Sequence, residues 1–126
     1  MDNRHKGMLG ENIACRFLVR QKFKILQRNY RKKWGELDII GFKDGVLHFF
    51  EVKSVTYIPA DDFDPAHTPE ENVNGFKMRQ IRRMISTFLA ETGRGAEFEF
   101  RFHVLSVFMD LEVHRARVKW IKDVIL

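Results

Sequence analysis

Residues 35–54 read Gly-Glu-Leu-Asp-Ile-Ile-Gly-Phe-Lys-Asp-Gly-Val-Leu-His-Phe-Phe-Glu-Val-Lys-Ser. Two runs rich in β-branched and aromatic residues flank Asp44-Gly45, and both residues of such a turn must accept positive φ. The stretch therefore predicts a two-stranded antiparallel hairpin. Counting outward from a two-residue turn sets Lys43 against Val46, Ile40 against Phe49, Asp38 against Glu51 and Glu36 against Lys53. Because side chains alternate with period 2, Glu36, Asp38, Glu51 and Lys53 share one end of one face. The other face is expected to carry Leu37 with Val52 and Ile39 with Phe50. A three-residue turn with a bulge would shift this pairing by one.

Like charges directly opposed on paired strands are destabilising. Asp38 against Glu51 is thus a local fault unless something positive lies between them. A divalent cation serves well, since Mg²⁺ is usually held by one or two carboxylates and keeps several waters for a substrate phosphate to displace. Lys53 would then stabilise phosphate charge or position a water. The plainer alternative is a solvated ion-pair cluster of Lys53 with Glu36 and Glu51.

Glu36-x-Asp38 followed by Glu51-Val52-Lys53 resembles the active-site signature of the PD-(D/E)XK nucleases, the restriction-endonuclease-like superfamily. A closer resemblance is to the YraN family, bacterial proteins similar to archaeal Holliday-junction resolvases. It is carried by Gly10-Glu11-x-x-Ala14, Arg28-Asn29-Tyr30-Arg31, Gly35-Glu36-Leu37-Asp38-Ile39-Ile40, Glu51-Val52-Lys53, Lys77 and Arg101-Phe102, in that order, over roughly Gly7 to Ile121. The resemblance implies an Mg²⁺-dependent endonuclease, with Mn²⁺ as a substitute, acting on branched or damaged DNA. Asp38, Glu51 and Glu11 would hold the metal, Glu36 would assist, and Lys53 would orient the attacking water or stabilise the transition state. Resolvase-like action would require a homodimer. Two places depart from the family pattern: His103 stands where Asp commonly follows Arg-Phe, and Ser54-Val55 replaces the usual Thr-Arg. The rival reading is a non-catalytic nucleic-acid-binding protein on the same fold.

A chain of 126 residues with 44% hydrophobic residues and 12 phenylalanines fits one domain, residues 1–126, with a genuine core. Net charge is +5 with 22 Lys and Arg, which suits a polyanionic partner without demanding one. Cys15 is the sole cysteine, so no internal disulfide forms and a reducing compartment is expected. Neither an apolar leader nor a membrane-length apolar run is present, and a cytoplasmic location without membrane contact is expected. The five histidines lack zinc-ligand spacing.

Leu9, Ile13, Ala14, Phe17 and Leu18 predict a helix over about Met8–Gln21, with Glu11 on the margin of its buried face. Phe23 to Arg31 predicts a strand with Phe23, Ile25 and Gln27 on one side and Leu26 with Arg28 on the other. It leads into a basic turn. Arg28, Arg31, Lys32 and Lys33, with Tyr30 and Trp34 among them, are candidates for phosphate attraction and base stacking, or else form a solvated turn with two core aromatics. Between Val55 and Gly75 the chain is read as a long acidic loop, with Thr68-Pro69-Glu70-Glu71 as a capping box. A second helix is predicted over Gly75–Glu91, with Asn74 as its cap and Ile81, Met84, Ile85, Phe88 and Leu89 buried. Arg79 and Arg82 fall on its outer face as candidate phosphate contacts, and Lys77 points inward towards Glu36 or Glu51 or towards a structural acid. A strand from Phe98 and a final strand or short helix over about Arg115–Leu126 complete the reading. The element order predicts a three-layer α/β (α+β) domain, with the resemblance implying a mixed central sheet of about five strands flanked by helices.

Overall fold

The structure, a computed structural model, describes residues 2–56 and 75–126. Its elements are α1 (Asn3–Arg20), β1 (Lys24–Lys32), β2 (Gly35–Lys43), β3 (Val46–Thr56), α2 (Gly75–Glu91), β4 (Phe100–Asp110) and β5 (Arg115–Ile121). The strands form one sheet in the order β1-β2-β3-β4-β5. β3 and β4 run parallel, and every other neighbouring pair is antiparallel. The predicted mixed five-stranded α+β architecture is the one observed.

Each helix covers one face of the sheet because each face is apolar. Ala14 and Leu18 of α1 pack with Phe23, Ile39, Phe50, Leu105, Val107 and Met109. On the opposite face Ile81, Met84, Ile85, Phe88 and Leu89 of α2, the five residues its period predicts, pack with Leu37, Ile40, Leu47, Phe49, Phe102 and Val104. Pairing with β3 on one side and β5 on the other puts β4 inside the sheet, and from Phe102 to Asp110 every residue is buried. Among the described residues no helix is long and apolar enough to cross a membrane.

The hairpin turns at Asp44 (φ 52°) and Gly45 (φ 78°), the two positive angles its twist requires. Lys43–Val46, Ile40–Phe49 and Ile39–Phe50 pair as counted, and there the ladder ends. Beyond that point the expected alternation fails: Leu37 joins the α2-side cluster, whereas Val52 packs on the α1 side with Ile39. Asn29, between the Arg28–Ile39 and Tyr30–Leu37 pairs, sits in the left-handed region at φ 53°. Both strands change sides at that level. A second irregularity between Ile25 and Gln27 separates Leu26, on the α2 side, from Arg28, which the sequence places on the same face as Leu26.

Several boundaries differ from expectation. α1 begins five residues early, at Asn3, because Asp2 caps it: Asp2 Oδ1 accepts from the His5 amide at 2.9 Å. β3 continues through Val55 to Thr56 on its pairing with β4. β4 starts at Phe100 and not Phe98. After β5 the chain is held by the Val124 amide, which donates to the Phe102 carbonyl at 2.8 Å, with no terminal helix. The Thr68 capping box and the Asn74 cap lie outside the described residues.

Candidate active site

The end of the β2–β3 ladder opens a fork, and Asp38 stands in it. The Val52 amide, which would otherwise lose its partner where the strands part, donates to Asp38 Oδ2 at 2.7 Å. Burial raises the Asp38 pKa to about 6, with Glu36, Glu51 and Glu11 adding repulsion against the opposing pull of the Val52 amide. Three other carboxylates therefore bear on Asp38.

Glu51 lies across the fork on the α2 side. Its Oε1 is ion-paired with Lys77 of α2 and stands 3.6 Å from Lys53 Nζ. Glu51 Oε2 is buried without a hydrogen-bond partner among the described residues. Burial lowers the Lys53 pKa, and the hydrogen bond with Lys77 lowers it further. Burial also works against the Lys77 ammonium, but its bond to Glu51 prevails and raises its pKa. The two lysines thus differ in kind: one holds its proton firmly and the other loosely.

Two cavities meet at the fork. One, of about 230 Å³, lies under α2 and is lined by Glu36, Asp38, Glu51 and Lys77, among others. The other, of about 630 Å³, opens beneath the start of α1 and is also lined by Glu36 and Asp38, with Glu11, Arg28 and Arg31. In it Glu11 Oε1 accepts from Arg28 Nε at 3.0 Å and from Asn29 Nδ2 at 2.9 Å. A terminal Arg28 nitrogen donates to Asn12 Oδ1 at 2.7 Å. Arg31 Nε lies 3.3 Å from Glu36 Oε1.

The site residues expected from sequence divide accordingly. Asp38, Glu51, Lys53, Lys77 and Glu36 flank the fork, while Glu11 shares the larger cleft but is committed to Arg28 and Asn29. Lys32 turns away: its Nζ lies 2.8 Å from Oε1 of Glu91, at the far end of α2, where Tyr30 OH also bonds. Tyr30 is buried and Trp34 lies under the Arg83 guanidinium at 4.2 Å, so the turn aromatics are packing residues and not free stacking platforms. Lys33, Arg79 and Arg82 are exposed. Asn3, Arg4 and Lys6 also line the larger cleft, and sequence reading missed them. The charge of Arg4 and Lys6 was visible, but without an apolar period the first turns of α1 were not.

Among the described residues no three His, Cys, Asp or Glu side chains gather closely enough to hold a metal ion. Asp38 and Glu51 form a set of two, which suits Mg²⁺ with its retained waters. Glu51 Oε2, unpartnered among the described residues, and the repelled Asp38 carboxylate are donors that a dication would satisfy. His103, the departure from the family pattern, is buried on the α1 side, with Nε2 2.9 Å from His48 Nδ1. Ser54 fits against Gly10 of α1, where a Cβ would come within 1.8 Å of Ser54 Oγ.

Residues 10–107 match the family described as Uncharacterised protein family UPF0102. A UPF0102 protein of Helicobacter hepaticus is 39% identical over 89 residues, covering 71% of this chain and 73% of that protein. A Campylobacter jejuni UPF0102 protein is 38% identical over 93 residues, covering 74% and 76%. The UPF0102 protein of Caldicellulosiruptor bescii is 31% identical over 123 residues, 98% of each chain. The matched span includes Gly10, Glu11, Asp38, Glu51, Lys53 and Lys77, and the PD-(D/E)XK arrangement is consistent with the family. This chain belongs to the UPF0102, or YraN, family.

Proposed function

We propose that the protein is a metal-dependent endonuclease that hydrolyses DNA phosphodiester bonds, with branched or damaged DNA as its substrate. The observation that carries this reading is the fork: two strands part beyond Ile39 and Phe50, Asp38 and Glu51 line the cavity that opens there, and a lysine of depressed pKa stands beside Glu51. Such a concentration of mutually repelling carboxylates costs stability and is characteristic of sites selected for chemistry. Asp38 and Glu51 are the residues that would hold Mg²⁺ or Mn²⁺. When bound, the cation supplies Lewis acidity towards the phosphodiester.

The chain's own groups do the rest. Lys53 orients the attacking water, and Lys77 offers a fixed positive charge to the phosphate. Glu36 holds Arg31 at the mouth of the cleft, and Glu11 holds Arg28 and Asn29 against its wall. Arg4, Lys6, Arg28 and Arg31 give the cleft positive groups to track a phosphate backbone, with salt-dependent affinity. The non-catalytic binding reading draws on a different observation: Lys77 already answers the charge of Glu51.

The deciding experiment is Mg²⁺- and Mn²⁺-dependent cleavage of labelled duplex, single-stranded, flap and four-way-junction DNAs, with Asp38→Asn alongside. Cutting that is lost in the variant supports the endonuclease. Binding without cutting, unchanged by the substitution, selects the non-catalytic module.

A further inference from the structure

Away from the fork, α1 from Leu9 to Arg20 and the β4–β5 turn enclose a groove of about 370 Å³. Leu9, Ile13, Arg16 and Arg20 recur at intervals of four, three and four, so they form one stripe along the helix. The first two make an apolar floor with Met109 and Leu111, and the last two make a rim completed by Arg115. Val113, in the same turn, is 55% exposed.

Among the described residues no carboxylate answers the charge on this rim. Arg28, Arg31 and Arg101 are each ion-paired with an acid. No ion pair among the described residues joins Arg16, Arg20 or Arg115 to a carboxylate. Asp110 lies at the groove but is buried, and its Oδ1 accepts from the Glu112 amide at 3.1 Å within its own turn. Three guanidiniums around an aliphatic floor complement a ligand that is anionic outside and apolar at its centre.

We infer that this groove docks an acidic peptide segment of a partner protein, seating an aliphatic side chain on Leu9, Ile13 and Leu111 and its flanking carboxylates on Arg16, Arg20 and Arg115. Planar forks of Arg donors match carboxylates. Nucleic acid fits less well, because among the described residues the lining has no Phe, Tyr or Trp to stack a base and His114 is its one aromatic ring. No residue of α1 lines both this groove and the cleft at the fork, so both sites can be occupied together.

The test is an NMR titration of the full chain with a synthetic peptide carrying a leucine pair flanked by aspartates. Controls are the same peptide with asparagine for aspartate, and an aspartate-only peptide. Shifts confined to Leu9, Ile13, Leu111 and Ala116 are expected. Affinity should fall at least tenfold for either control, for Arg16→Glu and for Arg115→Glu, with Arg16→Gln giving an intermediate loss in a chain of unchanged fold. Absence of binding, equal binding of the asparagine peptide, or shifts centred on Asp38 would overturn the inference. So would a dimer by sedimentation that Arg16→Glu dissociates, since a second copy would then be the occupant.

Discussion

The Val52 amide donates to Asp38 Oδ2 at 2.7 Å across the point where β2 and β3 cease to pair. One bond satisfies the amide orphaned by the split and fixes the carboxylate in the fork. The charge on that carboxylate is nonetheless unfavourable, because it is buried and faces three other acids.

Asp38→Asn keeps an oxygen for the Val52 amide and removes the charge. The folded-state pKa is raised from 3.8 to about 6, so ionisation at neutral pH opposes folding by up to about 3 kcal/mol. The variant should therefore be more stable than the parent, by about 1–3 kcal/mol, while losing any cleavage. Urea denaturation at neutral pH without divalent cations measures this. A less stable variant would show that the fork imposes no electrostatic cost.

A histidine supplies the opposite pH dependence. His103 Nδ1 accepts from the Asp123 amide at 3.1 Å, so its proton sits on Nε2 and is donated to His48 Nδ1. Burial, then the neighbouring His48, pushes the His103 pKa from 6.5 down to about 4. The unfolded chain takes up that proton first, so this contribution is intact above pH 6.5 and is lost as pH falls towards 4. Asp38 has the reverse sign: its folded form keeps the proton longer, and stability falls as pH rises from 3.8 to about 6. Over the shared window the two slopes offset each other. Asp38→Asn should expose the histidine slope, steepening the loss by about 1.4 kcal/mol per pH unit relative to the parent. Urea midpoints across that window test it, and parallel curves would refute the pairing of signs.

The hairpin and α2 were legible because their signals are local: an Asp-Gly turn between apolar runs, and an apolar period that fixes both the bounds and the phase of the helix. That phase also turned Lys77 inward, and the structure gives it Glu51 as partner. The exchange of faces at Asp38 was not legible, since it depends on a left-handed Asn29 in one strand and a split in its neighbour. Nor was the bond from Lys32 to Glu91, 59 residues away, which removes a cation expected at the cleft. Parallel pairing of β3 with β4 likewise has no local mark. The opposed acids were readable as a fault in the register, but their arrangement around a fork required the strands to diverge.

Gly10 of α1 lies directly against Ser54 of β3. An alanine in a helix interior ordinarily stabilises by about 1 kcal/mol relative to glycine. Here its Cβ would meet Ser54 Oγ at 1.8 Å and Ser54 Cβ at 2.8 Å. Rotating the hydroxyl relieves the first contact only, because the second atom is fixed to the β3 backbone. Gly10→Ala should therefore destabilise by about 1–3 kcal/mol, with partial rescue in the double variant Gly10→Ala, Ser54→Gly. Chemical denaturation of the four proteins completes the cycle, and a stabilised single variant would show that α1 moves away freely.

Lys77→Met separates the two readings of Glu51. In the parent, Lys77 answers Glu51 Oε1 while Oε2 lies buried without a partner among the described residues. Removing the ammonium leaves a partly buried carboxylate with only the more distant Lys53, at 3.6 Å, to answer it among the described residues, which should cost about 1–3 kcal/mol without metal, given that the pair is partly solvated. A cation that binds the fork must otherwise share Glu51 with that ammonium. The variant should accordingly regain stability in millimolar Mg²⁺, and its thermal midpoint should rise more than that of the parent. Thermal unfolding with and without Mg²⁺ reads both effects without reference to cleavage. If Mg²⁺ shifts neither midpoint, Glu51 is not a metal ligand, and its ion pair with Lys77 is the completed structure of the fork.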